Sequence, residues 1–139
     1  MYKRQIIYKS TKQDNEEKSA EIAEKRLKSI GFEEKKIEII QKLIVSTKKH
    51  EVILNQNYDN AYLLDIDLSI LGSDWKTYRN YSKKIRKEYS IYPSFIYKKG
   101  RKKVLSHFLE RDSLFFTEYF KTKFENNARQ NLKREMELL

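Results

Sequence analysis

The sequence predicts an all-α protein, and three observations carry that expectation. Apolar residues recur every three to four positions through most of the 139-residue chain. Three glycines and one proline are too few for the turns of a β-fold. Capping and breaking residues punctuate the periodic runs: Asp14 or Asn15, Gly31, Ser73 or Asp74, Pro93. The length suits a single domain with one continuous core, a helical bundle of about five to seven helices.

Met1, Tyr2, Lys3, Arg4 and Gln5 read as foreign. Written as GTG-TAT-AAG-AGA-CAG they spell the end of a transposase adapter used for sequencing libraries, so they are set aside from fold reasoning. The native start is then expected upstream. Ile6, Ile7 and Tyr8 form a short apolar segment, and 10–13 a polar loop. Asp14 or Asn15 caps a first helix whose Glu16 and Glu17 suit the positive end of the macrodipole. Ala20, Ala23, Leu27 and Ile30 form its inward stripe, and Gly31 ends it. From Glu33 a second helix turns Ile37, Ile40, Leu43, Ile44 and Thr47 inward and Lys35, Lys36 and Lys42 outward, closing at Lys48, Lys49 and His50.

After a connection over 51–58, residues 61–72 read as a buried helix, with Asp59 as its cap and Gly72 at its end. Ala61, Leu64, Leu68 and Leu71 share a face, widened by Leu63, Ile66 and Ile70. A fourth helix follows Ser73 or Asp74 to about Tyr89, with Trp75, Tyr78, Tyr81, Ile85 and Tyr89 along one side. Pro93 stops what precedes it. Phe95, Ile96, Val104, Leu105, Phe108 and Leu109 supply the core of a fifth segment, which Gly100 is expected to divide. In the turn at 112–117, Leu114, Phe115 and Phe116 act as an anchor; a last helix carries Ala128, Leu132 and Met136.

Two carboxylates in the apolar stretch 61–72 ask for an explanation. A buried carboxylate without a partner costs several kcal/mol, so Asp65 and Asp67 are expected to pair with lysine or arginine, or to hold a metal.

There is no cysteine, which excludes disulfide scaffolds, thiol nucleophiles and Cys-ligated zinc and suits a cytoplasmic protein. No apolar run approaches the roughly 20 residues of a membrane span, and no secretory signal is visible. The formal charge is +10. Lys, Ile, Asn and Tyr all have A/T-rich codons, so low GC content enriches them together. The lysines read as scattered along helices and interleaved with Glu, as on a solvated face. Of the two histidines, His107 sits among Leu105, Phe108 and Leu109 as a helix-face residue; His50, at a helix end before the carboxylate stretch, is the better ligand candidate. One imidazole with carboxylates suits Mg²⁺ or Mn²⁺ better than a metal that prefers more nitrogen.

An ordered series now stands out: Ile6, Ile7, Tyr8; Asp14, Asn15, Glu16, Glu17; Thr47, Lys48, Lys49, His50; Leu64 through Gly72; Tyr78 and Tyr81; Ile85, Arg86, Lys87, Glu88, Tyr89; Gly100 and Arg101; Ala128, Arg129, Gln130, Asn131, Leu132 with Glu135. With it the chain resembles the predicted metal-dependent phosphohydrolases of the HD superfamily, from Ile6 onward. The resemblance implies an HD-like helical domain over 6–139. It implies Asp67 as the closing metal ligand, with Asp65 as second choice, and His50 as an auxiliary metal ligand or phosphate contact; it implies Glu16 and Asp65 in catalysis, and Arg86, Arg101 and Lys48 as phosphate contacts. It implies a divalent metal (Mg²⁺, Mn²⁺ or similar) and a small phosphorylated substrate, with nucleotides the natural class and nucleic acid the lesser alternative.

In that family a His-Asp doublet precedes the segment matching Ile6, Ile7 and Tyr8, and another His lies further upstream. Here Arg4 and Gln5 occupy the doublet's positions. The resemblance therefore implies a member missing its first helix or helices, inactive as it stands, whose full-length parent hydrolyses phosphoesters. The rival expectations are a non-catalytic basic helical module that binds nucleic acid or nucleotides, and a degenerate HD remnant.

Overall fold

The computed structural model describes residues 14–54 and 58–139. The segments read above at 1–5, 6–8 and 10–13 lie outside these residues. Six α-helices account for most of the described chain: α1 Asn15–Ser29, α2 Glu34–Ser46, α3 Tyr58–Leu68, α4 Trp75–Glu88, α5 Ser94–Leu109 and α6 Glu118–Leu138. No strand occurs among the described residues, so the all-α expectation holds. The chain divides into two compact units, one ending at Leu64 and the other spanning Asp65–Leu139.

In the first unit α1 packs on α2. Ala20 and Ala23 are buried, as their spacing implied, but Ile30 is 75% exposed because it is the residue at which α1 ends. There Gly31 adopts a left-handed backbone (φ 73°), and the Phe32 amide donates to the Leu27 carbonyl at 3.0 Å, closing the helix end. Asp14 precedes α1 without capping it through its side chain; its carboxylate pairs instead with Lys18 one turn on. Below α2, Asn60 is fully buried and holds the segment after the helix. Its Oδ1 accepts from the Ile53 and Leu54 amides at 2.9 and 3.1 Å, and its Nδ2 donates to Ser46 Oγ at 2.8 Å.

The second unit is built around α6. Leu68, Leu71, Tyr78, Leu105, Leu114, Phe115, Phe120, Ala128 and Leu132 form one buried cluster. The stretch expected as one helix over 61–72 begins earlier, at Tyr58, with Asp59 inside the first turn, and tightens into a 3-10 turn at Ser69–Gly72. Ile66 faces solvent at 59% exposure. Gly72 is no helix cap: a Cβ there would lie 2.6 Å from Phe124 Cβ and 2.7 Å from the Phe124 carbonyl oxygen. Glycine is required for the 3-10 turn to lie directly on α6. Asn131 fixes the same crossing by donating to the Leu71 and Ser73 carbonyls, both at 2.8 Å.

α4 is capped by Asp74, which accepts from the Thr77 amide at 3.1 Å and the Thr77 hydroxyl at 2.6 Å. The Thr77 hydroxyl bond is the main reason this carboxyl sits below its ordinary value. Tyr78 and Ile85 face inward, with Trp75 and Tyr81 beside them. The Arg134 guanidinium covers the Trp75 ring at 4.1 Å. α5 is continuous through Gly100, against the expected division. Only Leu105 of its expected core is buried; Phe108 and Leu109 are half-buried, and Phe95 (74%), Ile96 and Val104 are exposed. The carbonyls of Leu109, Arg111 and Asp112, at and just beyond the α5 end, all accept from Arg129 of α6 at 3.2, 2.6 and 3.0 Å. Glu125, one turn earlier, accepts from both Arg129 and the Leu114 amide. Leu114 and Phe115 are the anchor of this turn; Phe116 is exposed.

A hypothetical Cβ at Gly100 meets no atom within 4 Å. Gly100→Ala is therefore expected to stabilise the protein by about 0.5–1 kcal/mol, the ordinary helix-interior cost of glycine. A higher thermal midpoint checks this; a lower one would mean that the helix needs a hinge there.

Candidate anion-binding site

The C-terminal turn of α4 and the start of α5 meet around one arginine. Arg86 Nη1 donates to the Tyr89 carbonyl at 3.0 Å, and Nη2 lies 3.3 Å from the Tyr92 carbonyl and 3.4 Å from Ser94 Oγ. Its guanidinium carbon sits 4.7 Å above the centre of the Tyr97 ring. A cation at this end of a helix opposes the dipole favourably. Pro93, which has no N–H, precedes the first residue of α5, where a missing donor costs nothing. Around this arginine lies a pocket of about 260 Å³ lined by Ser82, Lys83, Arg86, Ser94, Tyr97, Lys98 and Leu139. Three cations, two aliphatic hydroxyls and a phenol give it a lining suited to an anion, with room for more than a single phosphate. Burial pushes the Tyr97 phenol above its ordinary value, so it remains a hydrogen-bond donor.

Ser82 links this pocket to a buried network. The Glu135 carboxylate accepts from Ser82 Oγ at 2.7 Å, from Arg101 Nε at 2.8 Å, from Arg101 Nη2 at 2.9 Å and from the Tyr78 hydroxyl. The Arg101 and Glu135 side chains are 9% and 6% exposed. Burial works to raise the Glu135 carboxyl, but the Arg101 guanidinium and the two hydroxyls outweigh it and hold the group below its ordinary value. Burial likewise opposes the charge on Arg101, and the bond to Glu135 overcomes it, raising that group. Burial and Glu135 raise the Tyr78 phenol.

The residues singled out from the sequence fall in separate places. Asp65 is fully buried, and the partners of its carboxylate are amide and hydroxyl donors rather than cations. Its carboxylate accepts from the Phe116 amide at 2.7 Å, the Thr117 amide at 2.8 Å and the Thr117 hydroxyl at 2.6 Å. Thr117, the N-cap of α6, thus turns its hydroxyl to Asp65 rather than to its own helix. Asp67 is half-buried two residues on. Arg86 lies in the pocket, whereas Arg101 is engaged by Glu135 and does not line it. Within the first unit, Lys48 bonds Glu17, which lowers the glutamate and raises the lysine; Glu16 is half-buried in the first turn of α1. His50 has a left-handed backbone (φ 53°), uncommon for a residue with a Cβ.

A divalent metal finds no ready home among these groups. Asp65 has both oxygens engaged by donors, and among the described residues no group of three or more His, Asp or Glu side chains is placed to hold an ion. The residues described here do not fit a metal centre by themselves.

Ser82, Lys83, Ser94, Tyr97 and Lys98 were missed as site residues. The signal for them is charge distribution. Residues 75–109 hold eleven of the lysines and arginines and one acid, Glu88, so this stretch carries the entire formal excess of +10 and the rest of the chain balances. The lysines are not evenly interleaved with Glu after all.

Comparison with family models, with curated proteins and with solved structures returned no match. No helix among the described residues is long and apolar enough to cross a membrane.

Proposed function

We propose that this chain holds the phosphate of a small phosphorylated molecule, with nucleotides the natural class, in the manner of a substrate-holding part of an HD-type phosphohydrolase. The observation that carries the reading is the pocket around Arg86. Its guanidinium is immobilised by the Tyr89 and Tyr92 carbonyls and the Tyr97 ring, so the charge is in place before a ligand arrives. Lys83 and Lys98 add two cations with longer reach, and the Ser94 hydroxyl supplies a short-range donor, that of Ser82 being given to Glu135. Cations placed about a phosphate offset charge on its oxygens, which is the contribution side chains make to phosphoester cleavage when the attacking water is supplied by other groups. The hydrolytic half of the reading rests on the resemblance alone.

Titration calorimetry with inorganic pyrophosphate tests the binding half. Lys83→Gln with Lys98→Gln is expected to weaken binding about tenfold or more, in line with the loss of two charge-assisted contacts. Undiminished binding in that variant would place the phosphate elsewhere. For the hydrolytic half, p-nitrophenyl phosphate turnover in Mg²⁺ or Mn²⁺ should be abolished in Asp67→Ala, and full activity in that variant rules the assignment out.

A second reading, a basic module without catalysis, is favoured by the same confinement of positive charge to 75–109.

A further inference from the structure

The excess charge extends well beyond the pocket. On α4, Lys76, Arg79, Lys83 and Lys87 stand at intervals of three and four residues, which places them along one face of the helix. All four are exposed, and they lie opposite the inward face of Tyr78 and Ile85. From Lys76 to Lys87 the stripe is roughly 16 Å long at the α-helical rise per residue. Lys83 meets Lys98 of α5 at the pocket, and Lys102 follows Lys98 by one turn. No acidic residue interrupts the stripe; Glu88 comes after it.

Low-GC codon usage would raise lysine everywhere. It does not place the whole excess on two consecutive helices while the other residues balance. At the end of the stripe the α4–α5 turn leaves aromatic rings in water: Phe95 is 74% exposed and Tyr92 38% exposed. A row of cations spaced along a helix, ending in open aromatic faces, has the two chemistries that a nucleic-acid strand uses at once: backbone phosphates and base π-surfaces.

We infer that the α4–α5 segment is a binding surface for single-stranded nucleic acid. The phosphates of the strand follow Lys76, Arg79, Lys83 and Lys87, one of them reaching the pocket at Lys98, and bases stack on Phe95 and Tyr92. An anionic membrane surface is the competing partner. It is disfavoured because the cations run along the side of α4 rather than ringing the exposed Ile91 and Phe95 at the turn. The surface does not depend on the hydrolytic reading.

Fluorescence anisotropy with a labelled oligothymidylate of about twenty nucleotides, longer than one binding site needs, reads the interaction directly. With roughly five phosphate contacts, log K should fall against log salt with a slope of about −3 to −4. Lys83→Glu with Lys87→Glu should weaken binding at least tenfold and flatten that slope. Lys25→Glu with Lys42→Glu, exposed positions on α1 and α2, should change neither. Phe95→Ala should weaken oligonucleotide binding severalfold while leaving inorganic pyrophosphate binding untouched. Circular dichroism checks that each variant is folded; Lys83→Gln with Lys87→Gln serves if charge reversal disturbs α4.

The inference is overturned by affinity independent of salt, by equal binding by the stripe variants, or by a duplex of the same length bound as tightly as the single strand. Phosphatidylserine vesicles bound in preference to the oligonucleotide would overturn it in favour of a membrane surface. Loss of oligonucleotide binding alone, with pyrophosphate still bound, would remove the strand surface and leave the pocket reading intact.

Discussion

Replacing Asp65 with alanine is expected to destabilise the protein by about 3–5 kcal/mol, because it removes three hydrogen bonds to a charged acceptor and leaves buried donors without one. The amides of Phe116 and Thr117 lead directly into α6, and a negative charge beside a helix N-terminus adds a favourable dipole term. Asn should recover part of the loss, since its Oδ1 still accepts while its Nδ2 faces donors it cannot satisfy. Urea unfolding of the three proteins checks the order: aspartate, then asparagine, then alanine. A group that worked only in catalysis would show the reverse pattern, turnover lost at unchanged stability. Coincident unfolding curves for aspartate and alanine would refute the structural role.

Glu135→Gln should cost about as much, roughly 3–5 kcal/mol, for a different reason: the buried Arg101 guanidinium loses its counter-charge. Replacing both members, Glu135→Leu with Arg101→Met, should be less damaging than the single change, since no unpaired charge is then left inside. The carboxyl also sets a pH dependence. Its value in the folded protein lies below the ordinary 4.5, so its contribution is complete above that pH. It is lost as the pH falls through the depressed folded value. The urea midpoint of the native protein should therefore drop on acidification below about pH 4.5 more steeply than that of Glu135→Gln. Parallel pH profiles for the two proteins would show that Glu135 is not charged in the fold.

The helices were legible because their signals are local. Asp74 before Trp75, Gly31 after the α1 stripe, and Leu64, Leu68 and Leu71 at helical spacing are read from neighbours in the chain, and each does what that spacing implied. The misreadings share a cause: the deciding partner is distant in sequence. Gly72 looked like a helix stop, but Phe124 decides it. Asp65 looked like half of an ion pair, but its partners are amides 51 and 52 residues away. Phe95, Ile96 and Val104 looked like core, yet α5 presents Leu105 inward and leaves those three in water. Gly100 looked like a break, but a helix held at Leu105 and clamped by Arg129 tolerates one unfavourable residue. For the site, Arg86 could be picked out as a candidate, while Arg101 required knowledge of Glu135 on α6. The balance of charge between 75–109 and the rest was countable from the residues alone.

The bonds that α6 makes also bear on the order of events during translation. Asp65, Tyr78 and Arg101 leave the ribosome ahead of the groups that satisfy them, by 51–52, 57 and 34 residues respectively. At roughly 5–20 residues per second, Asp65 waits on the order of 3–10 seconds for Phe116 and Thr117 to be made. During that interval its carboxylate, the Tyr78 hydroxyl and the Arg101 guanidinium must stay hydrated, and the apolar residues beside them cannot close. The second unit thus acquires its interior only when α6, which supplies Phe120, Ala128 and Leu132 to it, has been synthesised.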